Sequence, residues 1–269
     1  KKDCSIISTF LDPDFRIKTF VNWAANKFAI KLDVNELKDL KPEQVYEKLL
    51  EQVRVRYTRR EIEYPIEFAM SMTFRGDSVN VYAFETLSKW LKDRFAAEMP
   101  VSYLQETSPN TIHKELLKIS EEYHTTGLEK EIDEHIASAQ SPALLAEWAN
   151  ARFKANLNSD DLASEPRASA TGNNNDSAKE TLLKAGKDFL RTELSELEKY
   201  VLLQFYDSAW KDHLYSMDRL KESIFMRAYA EKDPKIEYKS EGFRMFSDML
   251  DSIQDKVTDT IFKVRLEAY

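Results

Sequence analysis

The sequence predicts an all-α fold on three observations. Glycine is scarce, five in 269 residues beside eight prolines, which leaves little material for tight hairpin turns. Charged residues make up 32% of the chain, a balance that suits long helices with solvated faces. Apolar residues recur three or four apart over long stretches instead of alternating.

The first elements come as an internal repeat. Trp23 and Phe28, Trp90 and Phe95, and Trp148 and Phe153 share one spacing. In each copy Lys or Arg precedes the Phe, and an aliphatic residue (Leu32, Met99, Leu157) follows it by four. A second helical pattern then carries a leucine pair and an aromatic: Leu49-Leu50 with Tyr57, Leu116-Leu117 with Tyr123, Leu182-Leu183 with Phe189. The template is therefore a helix pair, and its six Trp and Phe side chains are expected to form the repeat core, since residues five apart lie on neighbouring edges of one helix. A stacking platform for bases would need basic flanks that are absent.

Punctuation marks the ends. Pro42 belongs in a first helical turn, Ser141-Pro142 reads as a cap with Pro just inside, and Ser177-x-x-Glu180 reads as a capping box opening the last helix of the repeats. Between Asn158 and Asp176 small polar residues replace aromatics, and Ser164 to Asn175 is expected to be a mobile, protease-sensitive loop within the third copy.

A helical hairpin follows. Tyr200, Leu203, Tyr206, Trp210, Leu214, Met217, Leu220 and Ile224 line one face of the first arm, and Phe246, Leu250, Ile253, Val257, Ile261 and Val264 line the second. Trp210, Leu214 and Phe246 are the expected buried anchors. The period breaks at residues 228–234, where Pro234 cannot continue the first helix. This corner, 227–236, carries Arg227, Tyr229, Lys232 and Lys235, one aromatic and three cations in an otherwise acidic chain, a chemistry suited to non-specific peptide contact. The division expected is residues 1–186 for the repeats and 187–269 for the hairpin segment.

Composition excludes several functions. A net charge of −8 argues against a nucleic-acid binder. The lone Cys4 allows no intramolecular disulfide, and no apolar run approaches a membrane span, so a soluble chain is expected. The five glycines are scattered and none opens a phosphate-cradling loop, so no catalytic residue and no enzyme activity are expected here. His113, His124 and His135 fall eleven apart, about 16 Å along a helix, too far to share one metal, and are expected on polar faces. His213 has no nucleophile near it in sequence and is expected to be structural.

The wording of Tyr200 to Val264 resembles the C-terminal part of SecA, the ATP-driven motor of bacterial preprotein translocation. The resemblance is carried by Trp210, His213, Met217-Asp218, Ala228-Tyr229-Ala230, Lys232-Asp233-Pro234, Glu237-Tyr238-Lys239 and Phe243-x-Met245-Phe246. It implies that the hairpin is the two-helix finger of the helical scaffold domain, with Tyr229 at its tip, where Ala228 stands in place of the family's usual glycine. Residues up to about Gly186 resemble the helical wing domain by order along the chain. The resemblance further implies a piece of a longer motor, whose ATP and Mg belong to domains absent here, so that this chain has no cofactor of its own. Implied partners are the SecY channel, unfolded preprotein and the other SecA domains, with a cytoplasmic location peripheral to the inner membrane. The alternative from residues alone is a free-standing helical-repeat adaptor that binds a partner protein between its Trp/Phe pairs.

Overall fold

The computed structural model describes residues 12–74, 81–139, 141–162, 174–227 and 233–264, and among them every regular element is helical. In chain order these are α1 (Phe15–Phe28), α2 (Val34–Leu37), α3 (Pro42–Thr73), α4 (Val81–Phe95), α5 (Val101–Glu106) and α6 (Pro109–Glu122). A π-helical turn (Tyr123–Gly127) leads into α7 (Leu128–Ser138), followed by α8 (Pro142–Phe153), α9 (Ser159–Leu162), α10 (Asn174–Leu190), α11 (Thr192–Arg227) and α12 (Pro234–Ile261).

The three template copies end their first helix in the same way. The residue after each Phe is left-handed: Ala29, Ala96 and Lys154, at φ 54, 53 and 52°. This conformation stops the helix and turns the chain. A short helix follows each time, and its leucine fourteen residues beyond the Trp is buried: Leu37, Leu104 and Leu162, at 3, 1 and 5% exposure. The second helix of the first two copies starts on a proline, Pro42 and Pro109. Each second helix buries one leucine of its pair, Leu49, Leu116 or Leu182.

The Trp and Phe of each copy meet edge to face, at ring separations of 5.6, 5.7 and 5.3 Å. Phe95 and Phe153 are buried, Trp90 and Trp148 half-buried, and Trp23 is 45% exposed, so the first copy's Trp is not core. Ser141 caps α8 as the sequence suggests, accepting from the Leu144 N–H. Ser177 does not open α10, which begins three residues earlier; its carbonyl accepts from the Thr181 hydroxyl inside the helix. The expected loop from Ser164 lies outside the described residues up to position 173.

The chain divides into two compact units: the described parts of Lys1–Tyr57 and Glu196–Arg265 form one, and those of Thr58–Ser195 the other. The boundary drawn at Gly186 from the sequence falls inside α10. The first copy sits with the hairpin because Phe28 and Tyr57 both pack edge-on against Phe262, and Lys27 pairs with Asp255 at 2.7 Å. Such distant contacts are invisible to a reading made in chain order.

In the Thr58–Ser195 unit the second and third copies clasp each other. Arg152 donates to the Asp93 and Arg94 carbonyls at the end of α4, and Arg94 donates to the Leu190 carbonyl at the end of α10 and to Glu193. Carbonyls in a last helical turn lack intrahelical donors, so each guanidinium satisfies acceptors that would otherwise need water. In these two copies the template's basic residue is thus a helix-end clamp, whereas Lys27 of the first copy pairs with Asp255.

Candidate functional site

The hairpin begins and ends where its sequence dictates. α11 runs to Arg227, and Asp233 caps α12 by accepting from the Lys235 N–H at 2.9 Å, with Pro234 in the first turn where its missing N–H costs nothing. At about 1.5 Å per residue the 36-residue α11 is about 54 Å long and the 28-residue α12 about 42 Å. Tyr229 and Lys232 lie outside the described residues, as does the side chain of Arg227. Lys235 is exposed on the first turn of α12.

The expected anchors require correction. Trp210, Leu214 and Phe246 are 37, 48 and 38% exposed, in company with Tyr200, Leu203 and Tyr206 on the same stripe. The buried face of α11 takes in Leu220 and Ile224 of the expected stripe, but nearer the start of the helix it shifts to Val201, with Phe205, Ala209 and His213 half-buried. From Val201 to His213 the inward positions are offset by about one residue from the expected ones, a rotation of about 100°, and the two lines converge at Leu220. On α12 the buried positions are Gly242, Met249, Ile253 and Ile261, the last two on the expected stripe. The arms approach where Gly242 meets Met217: a Cβ added to the glycine would stand 2.9 Å from the Met217 methyl carbon.

The outward stripe is organised. Tyr206 stacks on Trp210 at 6.1 Å and 7°, Trp210 tilts onto His213 at 5.7 Å, and His213 meets Phe246 of the other arm at 5.7 Å. His213 therefore bridges aromatic rings of the two arms, a packing role. With Phe243 at 74% and Leu250 at 43% exposure, both arms present apolar side chains outward. An exposed apolar face of this extent marks an interaction surface.

Two of the other histidines also pack. His124 is half-buried beside Phe95 and bonds the Ser120 carbonyl at 2.8 Å through Nδ1; burial lowers its pKa. His135 stacks on Trp148 at 4.0 Å. They are template neighbours and not the polar-face residues expected. No group of three or more His, Cys, Asp or Glu side chains is placed to hold a metal among the described residues, and none of the described helices is long and apolar enough to cross a membrane.

Comparison with known proteins places this geometry. A family model described as the SecA Wing and Scaffold domain matches residues 83–265. Protein translocase subunit SecA 1 of Rhodopirellula baltica is 30% identical over 284 residues, covering 97% of this chain and 22% of the relative. SecA subunits of Desulforamulus reducens and Methylococcus capsulatus are 51 and 49% identical over 75 residues, 28% of this chain and 9 and 8% of those relatives. The chain thus spans about a fifth of the Rhodopirellula relative's length and matches far less of the other two. The first template copy lies before the matched span, which takes in the other two copies and most of the hairpin. The chain belongs to the SecA wing and scaffold family.

Proposed function

We propose that this chain is the wing and scaffold part of a SecA-type translocation motor and that its hairpin transmits movement to preprotein. Motion of ATP-driven portions of the longer polypeptide would pass along α11 and α12 to the corner 227–236, which contacts preprotein beside the SecY channel at the cytoplasmic face of the membrane. The observation that carries this reading is the pair of long antiparallel arms with an outward apolar face spanning Trp210 and Phe246. Long helices carry displacement without bending much, and the outward face offers the rest of the motor a surface to grip. ATP and Mg are assigned to those other portions, because the sequence here has no glycine-rich phosphate loop.

The test is preprotein transport into SecY-containing vesicles by the complete motor polypeptide carrying Tyr229→Ala or Tyr229→Phe. Tyr229→Ala is expected to impair transport more than Tyr229→Phe, since most of the contact area of a tyrosine is its ring, while thermal melting of the chain stays within about 0.5 kcal/mol. Transport by Tyr229→Ala at the unmodified rate would remove the finger role.

A further inference from the structure

A trough in the Thr58–Ser195 unit serves none of the roles above. Its larger half, about 920 Å³, lies between α4 and α10 over Phe153 and Phe189. Its smaller half, about 420 Å³, continues past Trp90 to Phe68, Met72 and Tyr82. Thr86, Trp90 and Glu193 line both halves, so the two adjoin along α4. The wall from Tyr82 to Arg94 is about 18 Å of helix, the length of five or six extended residues at about 3.3 Å each.

The lining states the chemistry of the occupant. At the small end Phe68, Met72 and Tyr82 are 38, 58 and 71% exposed; an unbranched thioether between aromatic rings adapts to apolar groups of many shapes. At the large end α4 presents Lys89 and Asp93, and α10 presents Lys184 and Asp188. Each wall thus carries both signs, four residues apart, and none of these four side chains takes part in an ion pair among the described residues. Walls of mixed sign complement a segment of mixed charge and repel neither sign, whereas a polyanion would meet as many carboxylates as ammonium groups. A short length, an adaptable apolar end and a charge-balanced end together fit a polypeptide of unselected sequence.

Resting on the reading of this chain as part of a polypeptide-moving motor, we propose that the trough holds a short extended segment of unfolded polypeptide. Its apolar residues lie toward Phe68 and Tyr82, and its charged residues toward Lys184 and Asp188. Such a site would retain a chain between strokes without selecting its sequence.

The test is fluorescence anisotropy of the 269-residue chain with a labelled synthetic peptide of about eight residues, zero net charge, one phenylalanine and two leucines. Saturable binding is expected, weakened roughly tenfold by Met72→Asp with Tyr82→Asp, both on the exposed rim where folding is insensitive to them. Circular dichroism matching the parent confirms that the double variant is folded. Absence of saturable binding overturns the proposal. So does binding that survives the rim variants and falls with Leu203→Asp, which would place the peptide on the hairpin face. Binding by this chain that disappears in the complete motor also overturns it, because the trough would then be filled by the motor's own polypeptide. None of these outcomes depends on Tyr229, so the trough and the finger fail separately.

Discussion

Arg152 donates from Nε to Oε1 of Glu131 across 2.6 Å, joining the Trp148 helix to α7. Tyr123 donates its phenol to the same carboxylate, and Arg152 also donates to the Tyr123 oxygen at 3.0 Å. Burial alone would raise the pKa of Glu131, but the hydrogen bonds from Arg152 and Tyr123 outweigh it and hold the group below its ordinary value. A depressed folded pKa gives stability that is present above the unfolded value of about 4.5 and is lost as pH falls through the folded value.

Glu198 in the other unit has the opposite sign. Burial raises its pKa although Tyr57 donates a hydrogen bond to it. Its contribution is present below about pH 4.5 and is lost as pH rises through the folded value. Amide exchange read against pH should therefore show α7 protection falling in acid, and Glu131→Gln should flatten that limb. Glu198→Gln should strengthen α11 protection near neutrality and leave it unchanged in acid. Parallel pH profiles for the two variants would contradict these assignments.

Ala29, Ala96 and Lys154 hold a left-handed conformation that disfavours a Cβ, at a cost of about 1–2 kcal/mol each. Glycine removes that cost but adds freedom to the unfolded chain, about 0.4–1 kcal/mol. Each residue→Gly change is expected to stabilise by roughly 0.5–1 kcal/mol. The three sites close the same template turn, so the gains should be similar. Thermal unfolding of the single variants checks this, and a fall in midpoint at any one would mean that its Cβ makes a contact worth more than the strain.

The repeat was legible because its signal is chemical identity at fixed spacing, and Trp, Lys/Arg and Phe recur without a gap. Pro42, Pro142 and Pro234 were legible because a missing N–H is tolerated in a first turn and disruptive later. Pro65 defeats that rule: α3 runs through it, its ring buried, so tertiary packing outweighs the lost hydrogen bond. The helix-end role of Arg94 and Arg152 was not legible, since their acceptors are backbone carbonyls that no side-chain pattern reveals. The hairpin register was only partly legible because α11 carries two apolar stripes that converge at Leu220 and Ile224. Periodicity favours the one with the larger rings, while between Val201 and His213 the chain turns the other inward.

That register makes Trp210 a discriminating position. Phe153, 4% exposed, should cost about 3–5 kcal/mol on change to Ala. Trp210→Ala should cost only about 0.5–1.5 kcal/mol, the worth of its ring contacts with Tyr206 and His213. Equal losses in chemical denaturation would return Trp210 to the core. In the complete motor the order should narrow or reverse, if the outward stripe is gripped by another part of the polypeptide.

Two helical glycines mark close approaches of different kinds, and alanine at each should act in opposite directions. At Gly242 an added Cβ would stand 2.9 Å from the Met217 methyl carbon and 3.4 Å from its sulfur. Those atoms end an unbranched side chain that is only half-buried, so Met217 can swing aside at small cost. Alanine also improves on glycine in a helix interior by about 1 kcal/mol. Gly242→Ala is therefore expected to stabilise the hairpin by a few tenths of a kcal/mol up to about 1. At Gly186 the added carbon would stand 2.6 Å from Leu128 Cδ1 and 3.1 Å from Cδ2. Leu128 is 3% exposed and fixed in the main core of its unit, so both branches cannot clear the new methyl without displacing neighbours. Overpacking of that kind costs about 1–3 kcal/mol, more than the helix propensity returns, and Gly186→Ala should destabilise. Amide exchange in α10 and α12 separates the two effects within one experiment: protection should rise in α12 for Gly242→Ala and fall in α10 for Gly186→Ala. A gain at both sites would mean that α7 and α10 can move apart to admit a methyl group, and that propensity, not packing, decides at Gly186.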